Sequence, residues 1–598
     1  MLLVARQRRV TTAPKPSAPL LVTLLGVAFL LVQVVVLPGS ASPFRLPKEA
    51  LLVGALAVCA SVAAALAVRR GELRLPLGRA ARLLVALPLL QAASLLWSSN
   101  PGFTLQTTLT TAIWAVGVLW LATLTLAERH RLALWATAGV AVSSVVLALQ
   151  TAGFEVLPIA ESDAGSRRGL SGLTGNPADL AMAAALLLPL TLDALSGERG
   201  IRRWGLPALL AAAIMLSQTW TGYAALAGIA VAWLAHQRSR RQVATVAGVA
   251  LLLLGIALAA GVGRRVDDAA AQLRRGDWYG LLSARSDGWT AAAEMIRQRP
   301  LLGVGAGCYT HDFYPARLSW LTAREATGGR GELATHFRWA HCDPLQFVAE
   351  LGVPGVLWAA AMALVVWGRR RDHGALTPMM FAAGLPFALL HYPHHLAVGL
   401  LPMALAAARL IHDEPRILVG MPAGWPRRTM VLVLAALAAG VAVWQLQRLA
   451  VDRWRGGLEG ALERLESLEE RTRPAYAAVL EQQIEERIER LPSAAPWLWR
   501  KLGIARLGHR DHAGAEAAFR QARRLWPHEE AELGLGLALA AQGRRSEALV
   551  ALGRVCRVNP ELARFIPDRD LRYAVADLLA PRRPEGDAAS ASEDQQRQ

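Results

Sequence analysis

ARSDGW at Ala284–Trp289, RQRPLLGVGAGCY at Arg297–Tyr309 and AHCDPLQFVAELGVPG at Ala340–Gly355 follow one another along a single polar interval, Gly263 to Leu345. The runs on either side are apolar and long enough to span a bilayer. A structureless connector of this length would be unusual inside a compact fold, so the interval reads as a functional loop. Within it, Ser286 and Asp287 are placed to cap a short amphipathic helix whose Trp289, Ala293 and Ile296 share one face, and Pro300 ends that helix. Asp343 suits an N-cap and Pro344 a first helical residue, so the next membrane helix is expected to start there, with His341 at the membrane-water boundary. An imidazole at that depth accepts a proton near neutral pH, and Arg285 at a helix N-terminus offers a planar, permanently charged donor set for phosphate. A base together with a phosphate clamp points to transfer chemistry on a phosphorylated membrane substrate. The bland alternatives are that Arg285 is a solvated helix residue and His341 an interfacial cap.

Outward from the loop, windows of about 17 to 25 apolar residues put spans near 19–37, 49–68, 82–97, 108–127, 131–153, 178–195, 204–219, 221–236, 243–262, 346–368, 374–392, 394–411 and 429–448. The expected fold is all-α, a polytopic bundle of about 12–13 transmembrane helices. Basic residues cluster before the first span and after every even one, from Arg6, Arg8 and Arg9 to Arg416, Arg427 and Arg428. The alternate short loops carry only Arg45, Lys48, Arg167 and Arg168. Positive-inside then makes the N-terminus cytoplasmic and puts the long loop on the opposite side. An odd number of spans puts the C-terminal region on that side too.

Composition agrees with a membrane domain plus a soluble one. The 598 residues have a mean hydropathy of +0.31 and are 54% apolar. The net charge of +18 invites a nucleic-acid partner, but nearly all the basic residues are arginine, with lysine only at Lys15, Lys48 and Lys501, and roughly three quarters of that charge is accounted for by the loops of one side, so none is expected. Cys59, Cys308, Cys342 and Cys556 make no disulfide framework; Cys308 and Cys342 share the loop and either pair or stay as thiols. The first apolar run is long for a signal peptide and lacks a convincing cleavage site, so it reads as a membrane helix.

After the last span, a charged helical stretch (Glu459–Arg490) leads into an internal repeat. Leu498–Pro527 and Ala531–Pro560 align with Gly503 on Gly536, Ala515 on Ala548, Phe519 on Leu552 and Pro527 on Pro560. The pattern resembles tetratricopeptide repeats, although Arg506 stands where an aromatic is usual. The domain plan is therefore a cytoplasmic segment 1–18, a membrane domain 19–448 with its loop at 263–345, a helical repeat domain 449–580 and a disordered tail 581–598. Such repeats present a concave surface that suits a protein partner.

Taken in order, SLLWSSNP (Ser94–Pro101), RRGLSGLTGNPADLA (Arg167–Ala181), RSDGW, RPLLGVGAGCY and AHCDPLQFVAELGVPG resemble the O-antigen ligase and O-antigen polymerase superfamily of bacterial inner-membrane glycosyltransferases. The similarity covers roughly Phe44 to Asp413 and omits the repeats. It implies a GT-C-like membrane fold and transfer of a glycan from polyprenyl pyrophosphate to the hydroxyl of a glycan or glycolipid acceptor on the periplasmic face, with inversion and with no metal or other cofactor. In that scheme His341 is the base and Arg285 holds the pyrophosphate, joined by Arg168 or Arg167, while Asp343 or Glu350 orients the imidazole. Glu350 is equally readable as a carboxylate solvated near the surface. Family members commonly carry an arginine at the outer end of the seventh span, where this chain has Trp220 in SQTWTGY (Ser217–Tyr223). Trp220 either stacks on a sugar ring or sits in the interfacial aromatic belt. A scaffold without turnover, or a lipid-linked glycan transporter, would use the same helices, but no inverted repeat is visible.

Other constellations carry less. HYPHH (His391–His395) has metal-like spacing but sits in a short outer turn with no partner carboxylate expected nearby. Asp568-Arg569-Asp570 follows the repeats without a nucleotide-binding fold, and no P-loop motif occurs.

Overall fold

The computed structural model describes residues 19–76, 78–154, 156, 171–236, 248, 255, 262–328, 337–369, 374–412, 416–420, 424–490 and 495–580. It is a helical molecule, and among the described residues seven helices are long and apolar enough to cross a membrane. The chain divides into two compact units. One comprises Met1–Gly276, Pro300–Gly307 and His341–Gly460, and the other Asp277–Arg299, Cys308–Ala340 and Ala461–Gln598.

In the first unit the apolar runs form α1 (Pro19–Val34), α2 (Leu46–Arg69), α3 (Arg79–Ala93), α4 (Pro101–Leu121), α5 (Leu126–Thr151), α6 (Pro177–Ala194), α7 (Gly200–Leu216) and α8 (Trp220–Leu234). Further helices follow at Asp343–Gly368, Leu376–Leu390, Ala397–His412 and Trp425–Ser467. The expected span at 243–262 lies almost wholly outside the described residues, as do the segment 1–18 and the tail 581–598. AMAAALLLPL in α6 is apolar all round, and this helix is accordingly the most enclosed, packed among α5, α7, α8, Leu376–Leu390 and Ala397–His412. The closely spaced pairs resolve into separate helices, with breaks at Ser217–Thr219 and His391–Leu396. The strands β1 (Glu72–Pro76) and β2 (Arg416–Gly420) pair antiparallel, with Glu72 opposite Gly420, so the two connections that contain them lie at one end of the bundle.

The motifs around the loop prove to be parts of one latch. Asn100 and Asn176 accept hydrogen bonds from Phe103 N and Ala178 N, and each is followed by proline, so SSNP and GNP start α4 and α6. The helix Asp343–Gly368, which holds the expected span at 346–368, breaks at Gly352, whose φ of 58° and ψ of −146° only glycine adopts readily. The carbonyls freed by the break are not left bare: Val304 N donates to Ala349 O at 3.0 Å and Gly305 N to Glu350 O at 2.9 Å, while Val353 N donates to Leu301 O at 3.0 Å. The glycine-rich strip is also fastened to SLLWSS. Trp97 Nε1 donates to Leu302 O, Ser99 N to Val304 O, Ala306 N to Ser94 Oγ and Thr104 Oγ1 to Ala306 O. Gly305 has φ 106° and a Cβ there would stand 2.8 Å from Ser98 Cβ, so neither the backbone nor the space admits a side chain.

In the second unit the loop helices Arg285–Gln298 and Tyr309–Thr322 pack on each other, and the C-terminal helices follow at Arg473–Arg490, Ala495–Gly508, His512–Leu525, Glu529–Ala541, Arg545–Val558 and Arg569–Leu579. Phe519 fills the space beside Gly503 and Gly534, and Leu552 that beside Gly536, so the glycines of the repeat are where helices approach most closely.

Candidate functional site

His341 sits just before the Asp343–Gly368 helix with φ 55°, one of six described non-glycine residues in the left-handed region. Such backbone costs of order 1–3 kcal/mol and persists only where the surroundings hold it, which makes it a pointer to function. Here the holding group is an aromatic cage. The Tyr392 ring meets His341 edge-on at 4.7 Å between centroids, and His391 lies 6.1 Å away. Tyr392 is itself fixed, its ring 4.2 Å from that of His391 and its hydroxyl accepting from Arg45 Nη2 at 2.8 Å. His391 Nε2 pairs with Asp179 Oδ1 at 2.9 Å, both side chains almost fully buried, and Arg45 Nη2 is 3.8 Å from Asp179 Oδ2. Beside them Lys48 Nζ donates to Val35 O at 2.7 Å. The result is an imidazole walled by a tyrosine and a second histidine, with a buried carboxylate behind the histidine and an arginine in reach of the tyrosine and the carboxylate.

Asp343 does not cap its helix. Cys342 is the N-cap residue, and the Asp343 carboxylate is drawn off to a tertiary partner, accepting from the backbone N of His394 at 3.2 Å and pairing closely with its Nδ1. His395 Nε2 lies 3.9 Å from the other oxygen. HYPHH therefore does have carboxylate partners, Asp179 for His391 and Asp343 for His394, contrary to the expectation from sequence; they come from other helices. The His394 side chain is 55% exposed; the desolvation that packing beside Asp343 imposes works against the charged ring, but the Asp343 carboxylate outweighs it and raises the imidazole above its ordinary 6.5. A raised folded-state value means that this pair contributes its full stability below pH 6.5 and loses it as pH rises through the shifted value. Thermal unfolding across pH 6 to 9 should show that decline, and His394→Asn should flatten it.

In the second unit, Arg285 is the first residue of the helix Arg285–Gln298 and follows two left-handed non-glycine residues, Ser283 at φ 50° and Ala284 at φ 60°. Its Nη1 donates to Leu282 O at 3.1 Å. The expected side-chain cap is absent. Asp287 instead binds Arg317 Nη2 at 2.5 Å and the Tyr279 hydroxyl at 3.0 Å, because its carboxylate is buried and a buried charge needs a partner more than the helix needs a cap. All four cysteines are free.

Residues 206–360 match the family model for O-antigen ligase, a stretch that carries Trp220, Arg285, His341 and Glu350. That stretch is similar to the O-antigen ligase family. The match covers about a quarter of the chain, and no curated protein matches it. The chain is thus a multi-pass membrane protein whose matched stretch supports a part in glycan transfer for surface polysaccharide.

Two other residues of the O-antigen ligase segment are well defined. Glu350 is buried and committed to the latch, its Oε2 accepting from Gly307 N at 2.7 Å and its Oε1 from Gln346 Nε2 at 2.9 Å. It is a carboxylate that holds the glycine-rich strip. Glu350→Ala should lower stability by about 1–3 kcal/mol by stranding the Gly307 N–H, and Glu350→Gln, which keeps an acceptor oxygen, by less. Melting curves of the two purified variants check this. Trp220 begins α8, is 43% exposed and stacks edge-on against Tyr223 at 5.9 Å; Gln218, two residues before it, has φ 54°. Arg167 and Arg168 lie outside the described residues. The residues that sequence reasoning passed over are Arg45, Asp179, His391 and Tyr392. Arg45 and Lys48 had been visible as basic residues on the wrong side for positive-inside, and intramembrane or interfacial charges of that kind are functional by default.

Proposed function

We propose that this protein moves a glycan from polyprenyl pyrophosphate to an acceptor hydroxyl at the periplasmic face of the bacterial inner membrane, as an O-antigen ligase or a surface-polysaccharide polymerase. What carries the reading is the family match over a segment whose one caged, left-handed histidine is His341. His341 takes the proton of the acceptor hydroxyl as that oxygen attacks the anomeric carbon. The bond from that carbon to the pyrophosphate oxygen breaks, and the configuration inverts. Pyrophosphate is already a good leaving group, so the reaction needs cations more than an acid. Arg285 supplies one, with Arg168 or Arg167 as a second. Residues 449–580 form a domain on the same periplasmic side.

The test is reconstitution of the purified chain in lipid vesicles with a labelled polyprenyl-pyrophosphate oligosaccharide. Labelled lipid A–core product marks a ligase, and lengthened carrier-linked glycan marks a polymerase. A donor left unconsumed with either acceptor would overturn the reading in favour of a scaffold.

A further inference from the structure

The second unit joins the loop helices to the C-terminal repeats, and the joint is specific. Tyr314 and Leu321 of the helix Tyr309–Thr322 are buried in a cluster with Val558, the last residue of Arg545–Val558, and Leu318, Trp320 and Ala326 pack against it. Backbone groups of the loop are then used as acceptors and donors by the repeats. Trp526 Nε1 donates to Thr310 O at 3.2 Å, Gly328 N donates to Arg557 O at 2.7 Å, and Arg557 Nη1 reaches Ala326 O at 3.4 Å. From there the connection runs on to Arg285. Arg317 of the same loop helix binds Asp287 and, at 2.6 Å, Thr290 Oγ1; Tyr309 OH donates to Gly288 O at 3.0 Å; Ser319 Oγ donates to Glu294 Oε1 at 2.7 Å. Three of these four anchors fall within five residues of Arg285.

We propose that the repeats bind a segment of their own chain: Thr310–Gly328 is their ligand, and by holding it they fix the helix that begins at Arg285. The C-terminal domain is on this account a positioning element for the loop. That its loosening lowers glycan transfer rests on the proposed function of Arg285; that it holds the loop does not.

Two substitutions attack the joint from opposite sides in the full-length protein. A Cβ at Gly328 would stand 1.8 Å from Val558 O, so Gly328→Ala opposes docking from the loop without touching the repeats' core. Val558→Asp places a charge in the apolar contact from the other side. Hydrogen exchange of the detergent-solubilised protein is the readout. Both variants should speed exchange in 309–322 and in 285–298 by about tenfold or more, with 512–525 and 529–541 still protected in Gly328→Ala. Unchanged exchange in 309–322 in both variants overturns the docking, and release of 309–322 with 285–298 still protected overturns the positioning of Arg285. Transfer by the wild type tests the reaction separately. If the wild type transfers glycan and the loosened variants do so at the same rate, the positioning role fails while the transferase reading stands. If the wild type does not transfer, the transferase reading fails and exchange alone decides the brace.

Discussion

His341→Asn should abolish glycan transfer, with a loss of about 10²–10⁴-fold, in a protein that still reaches the membrane at normal levels. Asparagine is the informative choice. Position 341 has φ 55°, a conformation that histidine and asparagine tolerate better than alanine, so the substitution leaves the backbone where it is. What it removes is the imidazole whose ring faces Tyr392 at 4.7 Å, and with it the group able to accept a proton near neutral pH. His341→Ala should show the same chemical loss plus a lower melting temperature, since alanine holds the left-handed backbone less well. Surface glycan on a gel, with immunoblotted membrane levels, separates the two effects. Normal glycan from a stable His341→Asn protein would remove this residue from the chemistry altogether.

Part of this architecture was readable in advance, for physical reasons that can be followed residue by residue. The spans are legible because a bilayer demands long apolar runs whatever their neighbours, and NP at Asn100-Pro101 and Asn176-Pro177 marks helix starts by purely local bonds. The latch was half legible. Gly352 and Pro354 stand in the sequence as a break, yet only the strip from Leu301 to Gly305 explains why a membrane helix tolerates one, since the strip satisfies the freed backbone groups. Asp343 and Asp287 were misread in the same way. Each is a good cap by its immediate context, and each is claimed by a partner that short-range rules do not see, His394 51 residues on and Arg317 30 residues on. HYPHH looked isolated for the same reason, because Asp179 lies 212 residues from His391. The period of the repeats was plain, but nothing in a period says that its ligand is the chain's own loop.

The buried carboxylate at Asp179 should be the most sensitive structural position in the first unit. Asp179→Ala is expected to cost about 1–3 kcal/mol, because it leaves the buried His391 Nε2 without its partner. The side chains of Asp179 and His391 are 2% and 3% exposed, so water does not substitute for the missing oxygen. Asp179→Asn keeps an acceptor for His391 Nε2 and gives up only the charge facing Arg45, so its loss should be nearer that of a single hydrogen bond, about 1 kcal/mol. The consequence for function follows from the order of contacts. Asp179 holds His391 and Arg45; these hold the ring and the hydroxyl of Tyr392; and Tyr392 is the wall against which His341 stands. Transfer by the alanine variant should therefore fall even at a temperature where it is fully folded. Combining Asp179→Ala with His391→Leu should recover part of the stability, since the imidazole is then no longer stranded, yet none of the activity. Melting curves and transfer rates for the two single variants and the double variant decide it. Additive losses of stability would show that the Asp179–His391 pair is not a unit, and full activity in the double variant would show that the cage around His341 does not govern its chemistry.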